Sequence, residues 1–362
     1  MAVFTTIDDP SAYFKVQLYT GNGSANHAIT FDDTDTDMQP DFVWIKNRDQ
    51  SDSHCLFDSV RGATKVLHSN DETAEVTDTD TLDSFTSDGF QVDADVKVNT
   101  NTEDYVACCW KMGTTSGITT DAGEGSYHIT PEAYSFNATA KQSIIRFDGD
   151  SQNDSTVAHG LGVAAKFVIV KCLDQSGRGW AVFHNKNTSA PGTDVLELDK
   201  TNATSDDAAA WYDKVPTATN VFLGNGNDTN ATDEYILYAF ADVQGYSKFG
   251  SFVGNGNADG AFVYTGFRPA FVMAKYASPG GGVGDWNMYD NKRKGYNDEN
   301  DYLAANATSA ENSSDNQVDL LSNGFKWRAT DSDSNESGST YVYMAFAEAP
   351  FVNSNGVPCN AR

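Results

Sequence analysis

The sequence predicts an all-β protein made of three tandem β-sandwich modules, lectin-like or jelly-roll-like in kind. Three observations carry that prediction: the composition between apolar runs, the shape of the apolar runs themselves, and an internal repeat in three copies. Asn, Asp, Ser, Thr and Gly crowd the stretches between apolar runs, while long Ala/Leu/Glu/Lys segments with helical spacing are almost missing. The apolar runs are short, rich in Val, Ile, Tyr, Phe and Trp, and bounded by turn residues, as strands are. At 362 residues, of which 39% are hydrophobic, the chain is long enough for two or three domains that each bury a core.

The repeat is read from landmarks that recur in one order. An opening strand ends in an aromatic and a glycine turn: Tyr19-Thr-Gly-Asn-Gly23, Phe147-Asp-Gly-Asp150 and Phe252-Val-Gly-Asn-Gly256. A lysine strand follows, FVWIK at 42–46, FVIVK at 167–171 and FVMAK at 271–275. An aromatic strand then runs from His54 to Phe57, from Trp180 to Phe183 and from Trp286 to Tyr289, each leading into a polar turn. A phenylalanine after a small turn comes fourth, at Phe90, Phe222 and Phe325, and the middle copy lacks the glycine of the other two. The closing strands are YVACCWK from Tyr105, YILYAFA from Tyr235 and YVYMAFA from Tyr341. They alternate large aromatics with Ala, Cys or Leu, as a strand does when its two faces pack against unlike neighbours.

These landmarks place the modules at residues 14–113, 141–243 and 246–351. Residues 114–140, opening on a Gly/Ser/Thr stretch, read as a flexible connector, and almost nothing separates the last two modules. Residues 1–13 and 352–362 fall outside the repeats as an N-terminal attachment segment and a C-terminal tail. A propeller, the other repeat architecture, needs at least four blades of about 45 residues.

Charge narrows the partners. With 51 Asp+Glu against 24 Lys+Arg, the net charge of -27 repels phosphate backbones and anionic membrane surfaces, so neither nucleic acid nor membrane insertion is expected. No apolar run approaches the roughly 20 residues that span a bilayer, and the N-terminus lacks the pattern of a secretory signal. Cys55, Cys108, Cys109 and Cys172 read as small buried hydrophobes rather than a disulfide or zinc framework.

Motifs of enzymes are missing: there is no nucleophile elbow, P-loop, dinucleotide fingerprint or zinc HExxH. No catalytic residue, cofactor or metal site is therefore assigned. The six histidines are scattered, and the acidic runs Asp32/Asp33/Asp35/Asp37, Asp78/Asp80/Asp83 and Asp331/Asp333 read as solvated loops rather than calcium sites. Arg61, Lys292 and Arg293 put cations in matching loops of the first and third copies. Local ion pairing is one reading of them, and a sugar- or carboxylate-binding rim with Trp180 and Trp286 as stacking platforms is the other.

The strings TIDDPSAYF, LYTGNG, QPDFVWIKNRD, LFDSVRGATK, SDGF and YVACCWK, then VAHGLGVAAKFVIVK, GYSKFGSFVGNG, YTGFRPAFVMAK, DNKR, LLSNGFK and YVYMAFAEAPF, carry a resemblance over nearly the whole chain. It resembles the repeat-containing tail-fibre and virion surface structural proteins of marine tailed bacteriophages, departing from them in a CCW pattern where WCW is expected. The resemblance implies a non-enzymatic virion protein, assembled in the host cytoplasm, that attaches to a host surface glycan or protein. It further implies contact with other virion proteins through residues 1–13 and display as a homo-oligomer, a trimer in a fibre. A capsid decoration or head-fibre protein is the alternative, and a polysaccharide depolymerase a more distant one.

Overall fold

The computed structural model describes residues 4–32, 36–120, 123–297, 301–314 and 317–359, and the fold is nearly all β. Among those residues helix is limited to a 3-10 turn, Pro10–Ala12, and two single turns, Val96–Asn99 and Ala208–Trp211. Each is opened by an aspartate, Asp9, Asp95 or Asp207, whose carboxylate accepts a backbone N–H.

One pairing pattern occurs in each third of the chain, here called a unit. The opening strands are Phe14–Thr20, Gln142–Asp148 and Ser247–Val253, and the lysine strands are Phe42–Asn47, Phe167–Cys172 and Phe267–Tyr276. The aromatic strands are Cys55–Asp58, Trp180–His184 and Trp286–Asp290, and the closing strands Asp104–Trp110, Glu234–Phe240 and Thr340–Pro350. In every unit the spatial order is opening, closing, lysine, aromatic, all antiparallel, with extra edge strands in the second and third units. Register agrees as well: Phe42, Phe167 and Phe271 lie opposite Trp110, Phe240 and Phe346, and Lys46, Lys171 and Lys275 lie opposite Val106, Ile236 and Val342.

Side chains of a strand alternate between faces, so FVWIK sends Val43 and Ile45 one way and Phe42 and Trp44 the other. Both directions are buried, which explains why the strand reads as a continuous apolar run. The Val43 face packs on a three-stranded sheet of its own unit, His27–Thr30, Gly89–Val92 and Leu82–Thr86. The second and third units repeat this layer with Ser155–Ala158 and Asn220–Leu223, and with Phe262–Tyr264 and Gly324–Trp327. The Phe42 face meets the corresponding faces of the other two large sheets in one common cluster. At its centre the equivalent residues Trp110, Phe240 and Phe346 form a triangle with ring centroids 5.7, 5.9 and 6.4 Å apart. Removing one such ring costs about 3–5 kcal/mol, because neighbours on three sheets cannot collapse into the gap.

The loop before each closing strand is tied down identically. Asn99, Asn230 and Asn335, all fully buried, donate their amides to the opening turn, at Asn22 and Ser24, Asp150 and Gln152, and Asn255 and Asn257. The first tyrosine of the closing strand pins the same loop, its hydroxyl donating to Val96, Asn227 or Ser332 carbonyl oxygen. That loop presses on the opening turn so closely that a Cβ at Gly21, Gly149 or Gly254 would lie 2.1, 1.9 or 2.3 Å from a backbone oxygen. Only glycine permits this approach.

Three expectations are corrected. Residues 114–140 are no free connector, since Tyr127–Ile129 adds parallel to Ser155–Ala158 and Ala133–Asn137 pairs with the second opening strand. Unpaired backbone groups at those sheet edges recruit the segment. The small-turn hairpin exists in the first and third units, where Gly89 and Gly324 face a partner-strand carbonyl, whereas the second unit, with Val221 there, has among the described residues no hairpin strand beside Asn220–Leu223 and gains its third strand, Tyr127–Ile129, at the opposite edge, beside Ser155–Ala158. Nor do residues 4–13 stand apart: Ile7 lies in the shared core, Thr5 is buried, and Asp8 accepts from Ser354 near the other terminus. Residues 1–3 and 360–362 of the two tails, and Asp33 and Asp35 of the first acidic run, lie outside the described residues.

Candidate functional site

Arg61, Trp180, Trp286, Lys292 and Arg293, the residues expected to form a binding rim, are not gathered into one. Arg61 is enclosed: Nε lies 2.5 Å from Asp58 Oδ2, Nη2 donates to Leu56 O, and Nη1 reaches Glu75 at 3.2 Å. Asp58 also accepts from Tyr238 Oη of the second unit at 2.7 Å. Arg293 repeats the arrangement on Asp290 at 2.5 Å, Met288 O and Glu311, and Glu311 receives Arg48 from the first unit at 2.8 Å. Burial opposes the charge on both guanidinium groups, and the carboxylates of Asp58 and Asp290 outweigh it, so both pKa values rise. The tryptophan rings face the shared core. Trp180 Nε1 donates to His68 O and Asp71 O, and Trp286 Nε1 to Glu197 O at 2.8 Å. Neither ring offers a stacking face to a ligand, because its strand is covered on that side by a neighbouring unit. Lys292 alone lies at the surface, 3.2 Å from Asp32.

These contacts run in a cycle. Trp180 of the second unit bonds to the first, Trp286 of the third bonds to the second, and His54, one residue before Cys55, bonds through Nε2 to Ala304 O of the third at 3.0 Å. The repeated lysines are structural too: Lys46 Nζ donates to Asn47 O and Gln50 O, Lys171 to Arg178 O, and Lys275 to Gly284 O and Lys200 O. Burial pushes Lys46 and Lys275 down to about 8.

A cavity of about 450 Å³ opens in the third unit, lined by Asn287, Tyr302, Gln317, Arg328, Asp331 and Asp333 among others. Asn287 alternates with Trp286 and Met288 of the shared core and so points to the opposite face. Asp331 and Asp333 come from the loop that Asn335 and Tyr341 hold, and Asp331 Oδ1 accepts from Asp333 N and Ser334 Oγ. Burial, then the carboxylates of Asp285 and Asp331, push Asp333 up to about 6. Arg328 Nε is held by Asp319 at 2.6 Å, and Asn312 donates to Tyr302 Oη.

Sequence reasoning missed this site, apart from naming Asp331 and Asp333 as an acidic run. Its signal lay in the repeat, where the register position occupied by Cys55 and Ala181 carries Asn287 in the third unit. Among the described residues the one group of potential metal ligands that converges is Cys172, Asp174 and Asp233, and burial pushes the Cys172 thiol up to about 11. The four cysteines expected to be buried are buried and free.

One antiparallel sheet pattern, repeated three times and closed on a common aromatic core, defines an all-β protein with internal pseudo-three-fold organisation. The chain belongs to the family described as a domain of unknown function, DUF7483, whose profile matches residues 9–350. No curated protein and no solved structure is significantly similar to it.

Proposed function

We propose that this chain is a virion surface structural protein of a tailed bacteriophage, a tail-fibre or receptor-binding component that attaches to a host envelope glycan or protein. In this reading each third is a β-sandwich module of lectin-like or jelly-roll type, and binding resides in its loops. The observation that carries the reading is the Trp110/Phe240/Phe346 triangle, which locks three units into one rigid body within a single chain. Such a body holds its loops at fixed spacing, as adhesion from a particle surface requires. The net charge of -27 suits exposure to solvent and disfavours nucleic acid. Contact with other virion proteins and display in several copies, as a trimer on a fibre, complete the proposal.

The second reading is a capsid decoration or head-fibre protein. It is favoured by the lack, among the described residues, of any coiled-coil or β-helical shaft. A polysaccharide depolymerase stands third. Deleting residues 1–13 is a poor test of anchoring, because Ile7 belongs to the core. Gold-labelled antibodies against the purified chain, imaged on virions, are expected to mark the tail and to block adsorption. Label on the head selects the decoration reading, and no label on any particle overturns both. New reducing ends released from host capsule would select the depolymerase.

A further inference from the structure

Cys55, Ala181 and Asn287 occupy one position on the aromatic strands, opposite Ile45, Val170 and Ala274. The first two belong to the apolar layer between large and small sheets. Asn287 puts a carboxamide there, 3% exposed, and its Oδ1 accepts no hydrogen bond among the described residues. Gln317, 6% exposed and immediately before Val318, likewise leaves Oε1 without a donor. Its counterpart in the first unit, Thr81, precedes Leu82 and satisfies itself by donating to Asp78 O at 2.8 Å. Buried acceptors without donors are destabilising, and two around one cavity point to a donor supplied from outside.

The second unit provides the comparison. Its corresponding hollow is about 130 Å³, with Ala181 and Val195 in place of Asn287 and Tyr302, and Gly226 in place of Asp331. Polarity and room are therefore combined in the third unit at one place in the fold.

We propose, naming the ligand class of the attachment reading and resting on that reading for its biological role, that this cavity binds a neutral pyranose residue. Its hydroxyl groups donate to the carboxylates of Asp331 and Asp333, and the carboxamides of Asn287 and Gln317, whose oxygens are shielded in the unliganded fold, turn toward the ring to accept as well. A volume of about 450 Å³ accommodates one such ring. An acceptor-rich wall matches a ligand whose every hydroxyl carries a donor. Anionic sugars are opposed by the two carboxylates, since the Arg328 guanidinium is engaged by Asp319. A chelated cation fits less well: among the described residues Asp331 and Asp333 converge with no third carboxylate, cysteine or histidine.

The test is titration of the full chain with methyl glycosides of glucose, mannose, galactose and N-acetylglucosamine, with glucuronate and with calcium chloride, followed by ligand-observed NMR and calorimetry. At least one neutral glycoside is expected to bind. Asn287→Ala, which installs the residue the second unit carries, is expected to weaken it about tenfold or more while leaving Tm unchanged or higher. Gln317→Thr serves as a second variant should the first fail to fold. Absence of binding by every neutral glycoside, binding that both variants leave intact, or binding of calcium alone overturns the proposal. Labelled virions with no glycoside binding would sink the saccharide assignment and spare the attachment reading. Glycoside binding with unlabelled virions would do the reverse.

Discussion

At the scale of single residues, buried histidines show how a neutral tautomer is built into the fold. His184 Nδ1 accepts from Lys186 N while Nε2 donates to Tyr343 O, and His54 accepts from Trp44 Nε1 while donating to Ala304 O. A second proton would occupy the nitrogen that each N–H donor needs. Burial pushes His54 down to about 3 and His159 and His184 to about 4, below the 6.5 of an unfolded histidine. The unfolded chain therefore takes up protons first, so this contribution to stability is complete above pH 6.5 and is lost as pH falls toward 4. Asp199 and Asp333, raised to about 6 by burial, act with the opposite sign over the same range. A difference measurement separates them: Tm of the wild type minus that of His184→Gln is expected to shrink between pH 7 and pH 4.5, and a constant difference would show that His184 does not titrate on unfolding. The residues singled out from the sequence as binders illustrate the limit of reading by type. Arg61 and Arg293 are arginines beside loops in the sequence, but in the fold each serves an Asp-x-x-Arg turn whose aspartate also accepts two backbone N–H groups.

At the scale of elements, the opening turn depends on close approach between two backbones. Gly149 lies where a Cβ would meet Ala231 O at 1.9 Å, whereas Gly179 has no neighbour closer than 3.6 Å. Gly149→Ala is expected to cost roughly 1–3 kcal/mol by overpacking, read from the urea midpoint, and Gly179→Ala to be nearly neutral. Equal effects would mean that the turn yields without cost. The five landmarks were legible because strand alternation and turn residues are local properties that each copy repeats. The third strand of the middle copy's small sheet was not legible, since it is Tyr127–Ile129, from a segment with connector composition that the open edge of Ser155–Ala158 recruits.

At the scale of the molecule, the shared core implies that no unit stands alone. The rings of Trp110, Phe240 and Phe346 are buried only when all three large sheets are in place, so the chain is expected to unfold in one calorimetric transition. Phe346→Ala is expected to lower its stability by about 3–5 kcal/mol without splitting the transition, and residues 246–351 expressed alone are expected to stay unfolded or aggregate. Three resolved transitions, or a folded isolated unit, would contradict a common core.

By itself the sequence determined the all-β class, the threefold repetition and the matching register of Lys46, Lys171 and Lys275, because the period of two and the spacing of turns are written along the chain. Only the tertiary structure decided what covers each face of a sheet. Alternation states that a strand has two sides but not which neighbour lies against them, and for that reason Trp180 and Trp286 turn out to be interior joints. For the same reason Asn287, Gln317, Asp331 and Asp333, which lie in separate segments of the chain, come to line a single cavity.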